Sequence, residues 1–325
     1  MEILVFILAF VVSMVFGHYL IPELKKRKLY AGKIRQEGPE GHQKKKGTPL
    51  MGGIIFILIS IAGSLIYSFI TLDFRILYFA CFVMIFAAIG FLDDYVKVMK
   101  SRKNGIGAKQ KFIMLAVVST LFSLISYFCG FIDGKLVIPV LGFGYYLNIG
   151  ALIIPFSIFI LLAATNSVNL TDGLDGLAGS VTSIVLLTYI VITSLKSDWS
   201  YMKVFSILLF AGLVAFLYYN YHPAKVFMGD SGSLALGAYV GIIALLTKTG
   251  LVLPVIGIIY LTEAFSDILQ VVYYKKTGRR IFKMAPIHHH FEISGLSENR
   301  IVMIFTAVTI IACVGGLYLL GIRPF

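Results

Sequence analysis

Charge is scarce in this chain. Lys, Arg, Asp and Glu make up 14% of its 325 residues, where a soluble globular domain carries roughly 25%. Acidic charge is scarcer still, with 16 Asp and Glu against 28 Lys and Arg. With 58% hydrophobic residues and a mean hydropathy of +0.91, the shortage excludes an ordinary soluble fold. Cysteine is also sparse: Cys81, Cys129 and Cys313 each sit in an apolar stretch without CxxC spacing, which excludes a disulfide framework and a thiolate metal site. They read as lipid-facing or core thiols. No linker, low-complexity tract or internal repeat divides the sequence, so residues 1–325 are taken as one integral membrane domain.

Long apolar runs are what the chain has in plenty. A membrane span needs about 20 mostly apolar residues, and that ruler predicts about ten spans. They start near Glu2, Met51, Ile76, Phe112, Gly150, Leu177, Lys203, Gly232, Leu251 and Ile301. The first lacks the basic leader and small-residue cleavage site of a signal peptide and is kept as a span. The fold expected is therefore an all-α polytopic membrane protein. Basic residues give its orientation. Nine lie between Lys25 and Lys46, six between Lys97 and Lys111, Lys225 stands alone, and six lie between Lys275 and Arg300; these are 22 of the 28. Placing those loops in the cytoplasm puts both termini outside. The net charge of +12 then fits an anionic leaflet better than nucleic acid. Residues 131–149 alternate in a way that predicts a small extracytoplasmic hairpin.

All the polar chemistry falls on the basic side. Asp93 and Asp94 follow an apolar run, and Lys97 shares a helix face with Asp93 at i, i+4. A solvated helix end would explain one such carboxylate, but adjacent carboxylates at a bilayer edge are costly unless a cation meets them. "TNSVNLTDGLDGLAG" over residues 165–179 sets Asn169, Asp172 and Asp175 among glycines, and Gly173 and Gly176 let backbone come close to a ligand. Asp172 or Thr171 is also a candidate cap for the following helix. "FMGDSG" adds Asp230 in a Gly-rich turn, where Asp230 or Ser231 is the expected cap, with Asn220 and His222 just upstream. Five carboxylates near Lys97, Lys109 and Lys111 are hard oxygen donors that suit Mg²⁺ shared with a substrate phosphate. The run "PIHHHFE" carries His288, His289 and His290, which point in different directions and so do not ligate one ion together; imidazoles can instead meet a pyrophosphate. Lys44 to Lys46 need no more than an anchoring role, which leaves Thr48, Gly52 and Gly53 unexplained.

The ordered set "KKGTPLMGG", "FLDDYVKV", "TNSVNLTDGLDGLAG", "FMGDSGSLALG" and "MAPIHHHFE" resembles the phospho-N-acetylmuramoyl-pentapeptide transferase family across almost the whole chain. The DD and NxxDGxDGLA elements are shared with a wider superfamily that transfers sugar phosphates to polyprenyl phosphate, whereas GTPLMGG and PIHHHFE resemble this branch. Leu50 departs from it, since threonine is common there. The resemblance implies a Mg²⁺-dependent enzyme of the bacterial cytoplasmic membrane. It would join phospho-MurNAc-pentapeptide, from a UDP donor, to undecaprenyl phosphate, giving lipid I and UMP in peptidoglycan biosynthesis. It further implies Asp230 as chief Mg²⁺ ligand, and Asp93, Asp94 and His289 as catalytic residues beside it. Substrate contacts fall to Lys46, Thr48, Lys97, Lys111, Asn169, Asp172, Gly173, Asp175, Asn220, Phe227, His288 and His290, with Phe227 stacking on uracil. A homodimer among membrane lipid is the expected assembly. Two rivals are a sibling transferase using UDP-GlcNAc and a secondary transporter; the transporter would place its ionisable groups near the bilayer midplane.

Overall fold

The computed structural model describes residues 2–30, 47–99 and 105–322. In chain order its elements are α1 (Glu2–Lys26), α2 (Ile54–Thr71), α3 (Arg75–Met99), α4 (Ala108–Phe128), β1 (Lys135–Val137), β2 (Tyr146–Asn148) and α5 (Ile153–Thr171). Then follow α6 (Leu177–Thr193), α7 (Ser200–Asn220), α8 (Gly229–Leu246), α9 (Leu253–Ile256), α10 (Ile258–Thr277), α11 (Ile287–Ile293) and α12 (Glu298–Leu319). Each expected span begins within four residues of its observed helix. Among the described residues, 8 helices are long and apolar enough to cross a membrane. The two others expected to span are α6, which is apolar but shorter, and α10, whose run is interrupted by Glu263 and Asp267. The run expected to span from Leu251 is the one that contains α10, and it is divided: Gly257 leaves helical dihedrals, ending α9 and starting α10.

The bundle is built around α8, which is buried at every residue from Ser231 to Leu246. Small residues make this possible, because in lipid helices associate by close backbone packing rather than by escaping water. Gly90 of α3 faces α8 so closely that a Cβ there would lie 2.1 Å from the Asp230 carbonyl oxygen. In α2 the buried hydroxyls of Ser60, Ser64 and Ser68 each donate to the carbonyl four residues back.

The bundle has two polar ends. At one, β1 and β2 pair antiparallel with Lys135 opposite Asn148 and Val137 opposite Tyr146, the hairpin predicted for residues 131–149. Val137 N–H donates to the Lys248 carbonyl at 2.8 Å, and Lys248 Nζ donates to Asp133 at 2.5 Å, so the hairpin is fastened just past α8. At the other end the first turn of α8 meets the last turns of α3 and α5. The chemistry gathers there.

Candidate active site

Asp94 organises this end. It is fully buried on α3, and its two carboxylate oxygens accept the backbone N–H groups of Asp230 and Ser231, each at 3.0 Å. Those amides belong to the first turn of α8, whose N–H groups have no partner within the helix. The cap expected from Asp230 or Ser231 is therefore supplied by another helix, and neither side chain caps α8. A negative charge at a helix N-terminus gains from charge-assisted hydrogen bonds and from the helix dipole. The cap of α6 is likewise not Asp172 or Thr171: Gly176, at φ 78°, occupies that position without a side-chain bond.

With α8 so anchored, Asp230 enters a ring of alternating charge. Lys97 Nζ lies 2.6 Å from Asp93 Oδ2 and 2.9 Å from Asp230 Oδ1. Lys111, from the first turn of α4, donates to Asp230 Oδ2 and lies 3.9 Å from Asp93 Oδ2. The i, i+4 pairing of Asp93 with Lys97 is thus present, and the ring spans α3, α4 and α8. Asp93 Oδ1 also accepts the Ile106 N–H at 2.7 Å, which ties the start of α4 to the ring.

Asp172, just past α5, makes no ion pair among the described residues. Burial pushes its carboxyl up to about 8, and the negative charges of Asp230 and Asp94 add to that push. An uncompensated carboxyl beside two others is a donor set that a hard divalent cation fits. Asp94 gives both oxygens to backbone amides; Asp172, and Asp230 by exchanging its contacts with Lys97 and Lys111, are the carboxylates that could hold a divalent cation.

The rest of the candidate pocket is held by loop-to-loop bonds. Asn220 donates to the Val226 carbonyl at 2.9 Å and accepts the Gly176 N–H at 3.0 Å. Asp175 accepts from Ala224 N–H at 3.1 Å and pairs with His222 Nδ1 at 3.0 Å, while its own N–H donates to Glu298 at 3.3 Å. His222, Asp175 and Glu298 bring their ligating atoms within 4.8 Å of one another, and here the imidazole itself bridges the two carboxylates. Asn169 donates to Ser233 Oγ at 2.7 Å, joining α5 to α8. Phe227 is partly buried, and its backbone pairs with Pro49 and Gly52. This pairing explains the glycines of GTPLMGG: Gly53 donates to the Met228 carbonyl at 3.0 Å, and a Cβ on it would strike Gly232 Cα at 2.3 Å. Thr48 is partly buried at the start of that loop, and Lys46 lies outside the described residues.

The three histidines occupy α11 and diverge as expected. His288 is buried, with Nδ1 3.0 Å from Glu263. His289 Nδ1 lies 3.1 Å from Glu292, and His290 Nδ1 accepts the Lys283 N–H at 3.2 Å. His288 is the member that reaches the Asp172–Gly176 loop, against Gly173. Sequence reasoning missed Glu263 and Glu298. The signal for Glu263 was present, since a lone carboxylate inside "IIYLTEAF" marks a functional candidate in a membrane protein. Glu298, in the first turn of α12, carries no such signal.

These features define a polytopic helical membrane protein with a carboxylate and lysine centre at one end of its bundle. Residues 76–248 match the family model described as glycosyl transferase family 4. The phospho-N-acetylmuramoyl-pentapeptide-transferase of Acetivibrio thermocellus is 42% identical over 99% of this chain and 96% of its own length. Proteins of that name from Clostridium novyi and Caldanaerobacter subterraneus are each 44% identical, over 98% and 97% of this chain and 97% of their own lengths. The chain belongs to the phospho-N-acetylmuramoyl-pentapeptide transferase family.

Proposed function

We propose that this protein transfers phospho-MurNAc-pentapeptide from UDP-MurNAc-pentapeptide to undecaprenyl phosphate, yielding lipid I and UMP for peptidoglycan synthesis. The observation that carries the reading is the ring of Asp93, Lys97, Asp230 and Lys111, closed by three helices in a chain of this family. In the reaction a phosphate oxygen of the lipid attacks the sugar-linked phosphorus of the donor. The bond from that phosphorus to the bridging oxygen breaks, and UMP leaves with the electron pair. Little covalent work falls to the protein in such a transfer, so positioning and charge neutralisation dominate.

Lys97 and Lys111 meet the phosphates. In the ring their charges are balanced by Asp93 and Asp230, so an incoming diphosphate exchanges one set of anions for another rather than meeting bare ammonium groups. Asp93 orients the lipid phosphate; since a phosphate monoester is largely ionised at neutral pH, no strong base is required. Asp230, with Asp172 alongside, would hold Mg²⁺, which supplies Lewis-acid neutralisation of the diphosphate. Asp94 acts at one remove, by fixing the turn that carries Asp230. The 172–176 loop, Asn220 and Phe227 shape the nucleotide pocket, and α11 borders the donor. Thr48, and Lys46 beyond the described segments, extend the substrate contacts. We place the protein in the bacterial cytoplasmic membrane as a single ten-span domain working as a homodimer, with its active end in the cytoplasm.

The test is purified protein with undecaprenyl phosphate, Mg²⁺ and either UDP-MurNAc-pentapeptide or UDP-GlcNAc, with UMP release and lipid products followed. The muramoyl donor should be consumed and the GlcNAc donor refused. A chelator should stop turnover, and Asp230→Ala should abolish it, because the diphosphate charge is left uncompensated. Equal use of UDP-GlcNAc would overturn the substrate assignment, and full activity in chelator would overturn the metal.

A further inference from the structure

One buried pair takes no part in the chemistry above. Glu263 lies on the inner face of α10, fully buried, and faces His288 Nδ1 at 3.0 Å. A carboxylate only accepts hydrogen bonds, so this contact is satisfied when Nδ1 carries the imidazole proton. Which ring nitrogen is protonated is set by the bond the other makes. Nε2 is then left as the acceptor. Among the described residues, Nε2 of His288 and Oε1 of Glu263 are buried polar atoms without a partner. Such orphans are rare and costly in native structures, and each asks for an explanation.

The position of Nε2 supplies one. It abuts Gly173, where a Cβ would lie 2.1 Å away, so no side chain stands between the 172–176 loop and the ring nitrogen. Any larger residue at position 173 would displace the imidazole. The buried carboxylate thus aims one unsatisfied nitrogen at the backbone of the loop that the reading above gives to the nucleotide.

We propose that Glu263 is a positioning residue: it holds His288 in the Nδ1–H tautomer so that Nε2 accepts a hydrogen bond from the nucleotide-sugar donor, from a hydroxyl or an imide N–H, at the Gly173 face of the loop. The proposal rests on the donor-site reading, and its test separates the two. Full-length protein labelled with ¹⁵N-histidine in lipid nanodiscs reports the tautomer directly, His288 being assigned by the signals lost in His288→Asn. The wild type should show Nδ1 protonated and Nε2 bare, and adding UDP-MurNAc-pentapeptide should shift Nε2. Glu263→Leu should release the tautomer, whereas Glu263→Gln still offers Nδ1–H an acceptor and should keep it.

Kinetics supply the second readout. Glu263→Leu should lower kcat/KM for the donor by roughly ten- to a hundredfold, by analogy with the loss of an outer hydrogen-bond partner of a metal-ligating histidine. The loss should appear in the donor KM and leave the KM for undecaprenyl phosphate unchanged; Glu263→Gln should restore most of it. In a His288→Ala background, Glu263→Leu should add less than about a twofold loss, because residues acting through one contact are not additive. Full additivity there, or a wild-type ring protonated at Nε2, would overturn the proposal. Should Glu263→Leu fail to fold, the tautomer of the wild type and the Gln variant still decides it. Failure of the wild type to consume any nucleotide-sugar donor would instead sink the proposed function, leaving the tautomer to be judged by itself.

Discussion

At the scale of the residue, adjacent aspartates do different work. Asp93 meets Lys97 at 2.6 Å, whereas Asp94, 3.9 Å from the same ammonium, accepts backbone N–H groups of α8 with both oxygens. A sequence shows two like side chains in a row; the structure divides them by the direction each takes from α3. The division makes a prediction. In Asp94→Asn the amide oxygen can keep one of the two N–H bonds, but the amide nitrogen turns a donor towards the other. Hydrogen bonds to charged groups are each worth about 1.5–3 kcal/mol, so the variant should lose stability by about that amount even with no substrate present. Thermal unfolding of the purified variant checks this, with Asp93→Asn beside it. Asp93→Asn should lower turnover far more than it lowers the unfolding temperature. If Asp94→Asn lost turnover at an unchanged unfolding temperature, Asp94 would act on the substrate directly rather than through the turn that carries Asp230.

At the scale of the element, the question is what the glycines of the 47–53 loop are for. Gly52 and Gly53 let the loop lie flat on the first turn of α8, exchanging bonds with Phe227 and Met228. Alanine at position 53 would press its Cβ on Gly232 Cα at 2.3 Å and Gly232 N at 2.6 Å; these are backbone atoms and cannot rotate away. Overpacking of this kind costs about 1–3 kcal/mol, and here it would fall beside Asp230. Gly315 of α12 is the control, since a Cβ there meets nothing within 4 Å, and alanine is the better helix former. Gly53→Ala should therefore lower both the unfolding temperature and donor turnover, while Gly315→Ala leaves both unchanged or raises stability. Matching behaviour of the two variants would remove the packing role given to the loop.

The elements themselves were legible because a span is defined by length and apolarity, both local properties. Helix starts fell within four residues for that reason. What escaped were contacts between distant segments. The cap of α8 comes from a residue 136 positions away, and the partner of His288 lies 25 positions upstream. No local pattern announces such a pairing. The break at Gly257 was hidden differently, because one glycine in an apolar run looks like any packing glycine of a membrane helix. The candidate site was readable to the extent that its groups come in motifs: Asp93, Lys97 and Asp230 did meet, while Asp175 and Asn220, expected as substrate contacts, are fastened to neighbouring loops.

At the scale of the whole molecule, charge is sorted between the two ends of the bundle. The carboxylate and lysine ring, the 172–176 loop and α11 share one end of the bundle, and in the sequence 22 of the 28 basic residues lie in the loops assigned to one side. The hairpin end carries a smaller cluster, Asp133 with Lys248 and Lys135. Loops rich in Lys and Arg are retained on the cytoplasmic side, which predicts that the ring faces the cytoplasm. The prediction is a labelling pattern. Cys81, Cys129 and Cys313 are first replaced by serine or alanine, so that no native thiol contributes to the labelling. Single cysteines then go to exposed positions: Lys109→Cys in the first turn of α4, Lys276→Cys at the end of α10, and Lys135→Cys in β1. In intact cells an impermeant maleimide should label position 135 and spare 109 and 276; after permeabilisation all three should react. The reverse pattern would put the ring, the nucleotide loop and the histidine helix outside, where no UDP-linked donor could reach them.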